Sequence, residues 1–158
     1  MVKDNPIVHK ASLQLLTPRI ITYLDDKANL WIKNNLNSAN VHERIGIMSG
    51  YNTISTNLKC GGYCDMWNKE IAIKEDYIQV VLHELSHSFQ ADLGITETLR
   101  NLLSDHLKEE QQCETMAKYL YQKIHHKTGD RIFTAYMDNH SLDFLRDWYK
   151  GSFIELDI

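Results

Sequence analysis

Residues Val81 to Phe89 read VLHELSHSF, and inside them His83-Glu84-Leu85-Ser86-His87 places two histidines four positions apart with a glutamate beside the first. The stretch falls within a segment, about 77 to 93, where Ile78, Val81, Leu82, Leu85 and Phe89 recur at helical spacing. Asp76 is suited to cap this helix and Gly94 to stop it. On a helix, residues i and i+4 project from one face a turn apart, so His83 and His87 can converge on a single ion. The apolar stripe lies on the opposite face and would bury the helix against a sheet. Zinc accepts neutral imidazole at about 2.0 Å, and a catalytic zinc site takes three protein ligands with a fourth position for water. Glu84, next to His83, would serve as general base toward that water.

Working outward, Thr17-Pro18 has the form of an N-cap followed by proline at the first helical turn. Ile20, Ile21, Leu24, Leu30, Trp31 and Leu36 continue a helix over about 18 to 36. Three short segments rich in Ile and Thr, 44–48, 51–56 and 70–74, are separated by Gly50 and Gly61-Gly62 and read as strands of a small sheet. Thr96 is suited to cap a further helix over about 97 to 127, with a break near Asp105, and Thr128-Gly129-Asp130 ends it. Two short helical stretches, 131–137 and 141–149, close the chain. The expected class is α+β: an N-terminal helix, a short mixed sheet of about three strands, the histidine helix and a glutamate-bearing helix. No repeat, linker or low-complexity tract divides residues 1–158, so one domain is expected.

Composition excludes several classes. With 17 Lys and Arg against 21 Asp and Glu, the chain carries a formal charge of -4, which disfavours general binding to nucleic acid or to an anionic membrane. No window approaches the roughly 20 apolar residues of a membrane span, and MVKDNPIVHK lacks a secretory apolar run. A cytoplasmic location is expected, in keeping with only three cysteines, Cys60, Cys64 and Cys113, read as plain thiols.

The third ligand must come from elsewhere, because Gln90 and Leu93 stand where the long HExxHxxGxxH form has glycine and histidine. Glu109, Glu110 and Glu114 lie in KEEQQCETMAKYL. Glu110 and Glu114 are one helical turn apart, so one carboxylate can bind the ion while the other orients an imidazole. Glu109 reads as a solvated charge.

At this point the residues resemble a family. HELSH followed by Glu110-Gln-Gln-Cys113-Glu114-Thr-Met116-Ala117 is similar to the HExxH and E-x-[EQ]-A-N-x-F-A pair of the ImmA/IrrE-like metallopeptidases, within the gluzincin clan. Gln112 and Ala117 match that pattern. Cys113, Glu114 and Met116 depart from its Ala, Asn and Phe. Glu110-x-x-x-Glu114 is also similar to the E-x-x-x-D of thermolysin-like gluzincins, in which the second acid supports the first histidine. The resemblance covers about residues 62 to 120. It implies a minimal gluzincin-like domain, one zinc ion held by His83, His87 and Glu110, an imidazole positioned by Glu114, and endopeptidase activity with Glu84 as base. The implied partner is a protein or peptide substrate, a regulatory protein among them. Repressor substrates are not carried over, since no DNA-reading domain is evident.

Two rivals stand beside this reading. One is a SprT-like arrangement with His106 as third ligand, and the other a noncatalytic zinc-binding module on the same fold. Tyr77, Tyr119, Tyr121, His125, His126 and His140 are candidates for stabilising an oxyanion. Glu70 to Lys74 is expected to act as the edge strand along which an extended substrate pairs. Asp65 and Met66 could line the cleft, and Trp67 is expected to be a structural anchor.

Overall fold

The computed structural model describes residues 16–55, 61–74, 78–96 and 106–128. Among them are four α-helices and a three-stranded mixed sheet, an α+β arrangement that is mostly helical. Helix α1 spans Pro18–Lys33, with the Thr17 side chain accepting from the Ile20 N–H and proline in the first turn. Its Ile20, Leu24, Ala28 and Trp31 are buried on one face. A single 3-10 turn, Leu36–Ser38, follows, so the predicted helix breaks before Leu36, at Asn35 in the left-handed region (φ 52°).

Residues 44–48, expected as a strand, lie inside helix α2, Val41–Ser49. The reason is local. The Asn40 side chain accepts from the Glu43 N–H and donates to the Glu43 carboxylate, a reciprocal cap, and Gly50 at φ 75° closes the other end. Arg44 is buried, donating to the carbonyls of Leu36 and Asn37 and lying over the Trp31 ring at 5.5 Å.

Strands β1 (Asn52–Ser55), β2 (Gly62–Asp65) and β3 (Glu70–Ile73) form a sheet of order β1-β3-β2. β1 pairs with β3 in parallel, and β2 pairs with β3 antiparallel. Residues 70–74, expected at the edge, therefore lie at the centre. Ile71, Ala72 and Ile73 are buried as a strand with neighbours on both sides requires. The edge beside the next helix is β2. The Asp65 carboxylate holds the β2–β3 turn by accepting from the N–H groups of Trp67 and Asn68 and from the Asn68 amide. Trp67 is 89% exposed, which rules out the anchoring role expected of it.

Helix α3, Ile78–Asp92, packs against α2, β2 and β3 on one side and the last described helix, α4 (His106–Thr128), on the other. Ile78, Val81, Leu82, Leu85 and Phe89 are all fully buried. Ser86, Ser88 and Gln90 are also at 0% exposure, and the histidine face is part-buried against the last described helix, with the His83 and His87 side chains 24% and 11% exposed. α4 crosses both α1 and α3 and buries Met116, Ala117, Leu120, Tyr121 and Ile124 in the same core. No described helix is long and apolar enough to cross a membrane. The expected helices at 131–149 lie outside the described residues.

Candidate metal centre

Helix α3 brings His83 and His87 together because four residues of α-helix is close to one turn. Their rings stand edge to face with centroids 4.9 Å apart. Helix α4 supplies what faces them. His83 Nε2 is 3.1 Å from Glu110 Oε2, and His87 Nε2 is 3.0 Å from Glu110 Oε1, so one carboxylate spans both rings. Tetrahedral ligands at zinc distances stand roughly 3.3 Å apart. The two imidazole-to-carboxylate distances are close to that spacing.

The remaining ring nitrogens are tied back. His83 Nδ1 is 2.8 Å from Glu114 Oε2, and the other Glu114 oxygen is 3.8 Å from the ammonium of the buried Lys118. His87 Nδ1 is 2.9 Å from Gln90 Oε1 and 3.8 Å from Glu109 Oε1. Neither Gln90 nor Glu109 was expected here. Glu109 is 3% exposed, so the solvated charge anticipated for it is corrected. The signal for Gln90 was available, since residue i+3 from His87 shares its helical face. That for Glu109 was not, because its burial depends on how α4 meets α3.

Cys113, at 0% exposure, points its thiol at the His83 carbonyl, with Sγ to O at 3.0 Å. Among the described residues His83, His87 and Cys113 offer donor atoms within 4.8 Å of one another, close enough to hold a metal ion. Burial pushes the Cys113 thiol well up, and the charges of Glu110, Glu84 and Glu114 add to the effect. In the metal-free chain the thiol is thus held protonated as a donor to the His83 carbonyl, and an ion coordinated by it would displace the proton.

Glu84 is 6% exposed and lines the same cleft. Burial raises its carboxyl to about 7; His83 opposes this, whereas Glu110 and Glu114 reinforce it. A carboxyl so placed can take and return a proton near neutral pH. Burial pulls His83 down, but the Glu114 hydrogen bond and the charges of Glu84, Glu114 and Glu110 outweigh it, and its pKa is raised. Burial and the neighbouring His83 lower His87.

The cleft has a volume of about 220 Å³. Gly62, Tyr63, Cys64 and Met66 form one wall, and Glu84, His87, Glu109 and Glu110 the other. The other expected participants fall elsewhere. Tyr119 donates to Asp25 at 2.7 Å, joining α4 to α1, and Tyr121 is buried in the core with its ring 6.1 Å from that of His125. His126 is exposed near the far end of α4. None of these lines the cleft, whereas Tyr63 does. Asp65 holds its turn without lining the cleft. His106 is the first residue of α4, and its side chain, with Cys60, Tyr77 and His140, lies outside the described residues. Neither Cys64 nor Cys113 is in a disulfide. No family model matches the chain, and comparison with curated proteins and with solved structures finds no match either.

Proposed function

We propose that this chain is a small zinc metallopeptidase of zincin-like fold, with His83, His87 and Glu110 as ligands and Glu84 as general base. The observation that carries the reading is the shared carboxylate: both oxygens of Glu110 face the two Nε2 atoms at 3.0–3.1 Å, with Glu84 in the same cleft. Two imidazoles and one carboxylate are a donor set suited to zinc with a position left open. A zinc ion held there would polarise a peptide carbonyl and lower the pKa of a water. Glu84 takes a proton from the attacking water as its oxygen bonds to the carbonyl carbon. It then delivers the proton to the amine as the C–N bond breaks. Glu114 holds the His83 ring through Nδ1 and does not touch substrate. The outer edge of β2, which pairs with no other described strand and forms a wall of the cleft, is suited to pair with the main chain of an extended protein or peptide substrate.

The test combines metal content with turnover. Glu84→Gln should retain about one zinc per chain and lose peptide hydrolysis by about 10²-fold or more. Full activity in that variant would sink the mechanism. Zinc retained without hydrolysis in the unaltered chain, across a broad peptide panel, would select the noncatalytic module instead. A second ligand set, His83, His87 and Cys113, is favoured by their mutual 4.8 Å proximity. Zinc lost in Cys113→Ala but kept in Glu110→Gln would establish that set.

A further inference from the structure

Glu110, Glu114 and Lys118 stand at i, i+4 and i+8 on α4, so their side chains form one row along the helix. The row runs inward: side-chain exposure falls from 54% to 33% to 9%. Its two carboxylates meet the same imidazole. Glu110 Oε2 lies 3.1 Å from His83 Nε2, and Glu114 Oε2 lies 2.8 Å from His83 Nδ1. Carboxylates of equal chemistry on either side of one ring pose a choice, since either type of group can bind the ion or support the imidazole. Lys118 breaks the symmetry. Its ammonium is 3.8 Å from Glu114 Oε1, the second oxygen of that carboxylate. A buried ammonium requires negative charge close by. Burial lowers the Lys118 pKa and the charge of Glu114 opposes that effect. Drawing Glu114 forward to the cleft would take this charge away from a buried cation, whereas Glu110, more than half exposed, moves at far lower cost.

We infer that Lys118 is a positioning residue that anchors Glu114 behind the His83 ring and so assigns the third ligand position to Glu110. The division of roles between the two carboxylates is set by charge and burial along α4 rather than by their own chemistry. It is independent of which ring nitrogen of His83 carries the proton, because the anchor joins two groups outside the imidazole. Lys118 touches neither ion nor substrate and acts only through Glu114.

As a ligand selector Lys118 rests on the zinc reading, whereas the anchor itself can be tested on the metal-free chain. The experiment is zinc affinity of the full chain by chelator competition, together with nitrogen-15 NMR of the lysine ammonium groups. Lys118→Met should bind zinc about 10-fold more weakly, because His83 loses a fixed support. Lys118→Arg, which keeps the charge, should bind more tightly than Lys118→Met. The decisive comparison starts from Glu110→Gln. Adding Lys118→Met to it should restore affinity by about 10-fold, as the released Glu114 takes the vacant position, and adding Glu114→Gln as well should abolish the gain. No gain overturns the selector role. So does a gain that survives Glu114→Gln, or tighter binding in Lys118→Met alone, either of which is the general effect of removing a positive charge. In the metal-free chain the Lys118 ammonium signal should shift in Glu114→Gln and stay in place in Glu110→Gln. An unmoved signal in Glu114→Gln overturns the anchor, and this measurement decides should Lys118→Met fail to fold. If the unaltered chain takes up no zinc, the proposed function falls, and the ammonium signal still decides whether Lys118 holds Glu114.

Discussion

Glu84 illustrates what a buried carboxyl costs before any ion arrives. In the metal-free chain its pKa is raised by burial to about 7, against 4.5 for the free side chain. Between these values the native state holds a proton that the unfolded state has lost. Stability must therefore fall as pH rises from 4.5 toward 7, and level off above. The full shift corresponds to ~3 kcal/mol. Denaturant melts of metal-free wild-type and Glu84→Gln across this range should diverge, with the glutamine variant gaining relative stability as pH rises. Loss of the Glu84 charge also removes one of the effects that raise His83, so the divergence reports the Glu84–His83 pair together, and parallel curves would overturn the raised Glu84. At the same scale, Glu110→Gln should lose zinc by elemental analysis and Cys113→Ala should keep it, because the Glu110 oxygens face both Nε2 nitrogens at 3.0–3.1 Å. Glu114→Gln should weaken binding less than Glu110→Gln. A larger loss in Glu114→Gln would exchange the two roles.

At the scale of elements, the cleft depends on how closely β2 approaches β3. A Cβ on Gly62 would meet the Ala72 carbonyl oxygen at 2.5 Å, a backbone atom in the paired strand, besides Val80 and Ile73 side chains at 3.2 and 3.3 Å. Gly62→Ala should therefore force the strands apart and cost about 1–3 kcal/mol in a urea melt. An unchanged midpoint would mean that β2 is free to shift. This dependence also shows where the sequence was legible. α3 was legible because its apolar positions keep a helical period over four turns, and the histidine pair rides on that period. Glu110 and Glu114 were reached through i,i+4 spacing and a family resemblance, and both carboxylates do face His83. Residues 44–48 were misread because Ile45 and Ile47 alternate as in a strand, although Asn40, Glu43 and Gly50 mark helix ends. Strand order was not legible. Pairing is settled by what packs above the sheet, and nothing within Glu70–Ile73 tells a central strand from an edge. Glu109 and Gln90 were missed for the same reason, since their burial exists only once α3 and α4 meet.

For the whole molecule, the junction of α3 and α4 is where an ion would add most to stability. The proposed ligands lie on two helices that are otherwise joined by apolar packing, the Gln90 amide bridge to α4, the Glu114–His83 pair and the Cys113 thiol on the His83 carbonyl. α4 also packs against α1 and is bonded to it through Tyr119 and Asp25, so anything that holds α4 against α3 holds the core closed. An ion that binds only the folded arrangement stabilises it by mass action, by about 2.7 kcal/mol when free zinc is 100 times the dissociation constant. For a domain of this size that corresponds to a rise in Tm of roughly 5–10 °C. Thermal melts of the unaltered chain should show this rise on adding zinc and its loss on adding a chelator. His83→Ala and Glu110→Gln should melt at a temperature independent of zinc. Glu84→Gln should keep the full rise, because its side chain is proposed to move a proton and not to bind the ion. A zinc-dependent Tm that survives in Glu110→Gln but is lost in Cys113→Ala would put Cys113 in place of Glu110 at the α3–α4 junction. The assignment of Glu110 as a ligand would then fall, while the fold and its packing would stand.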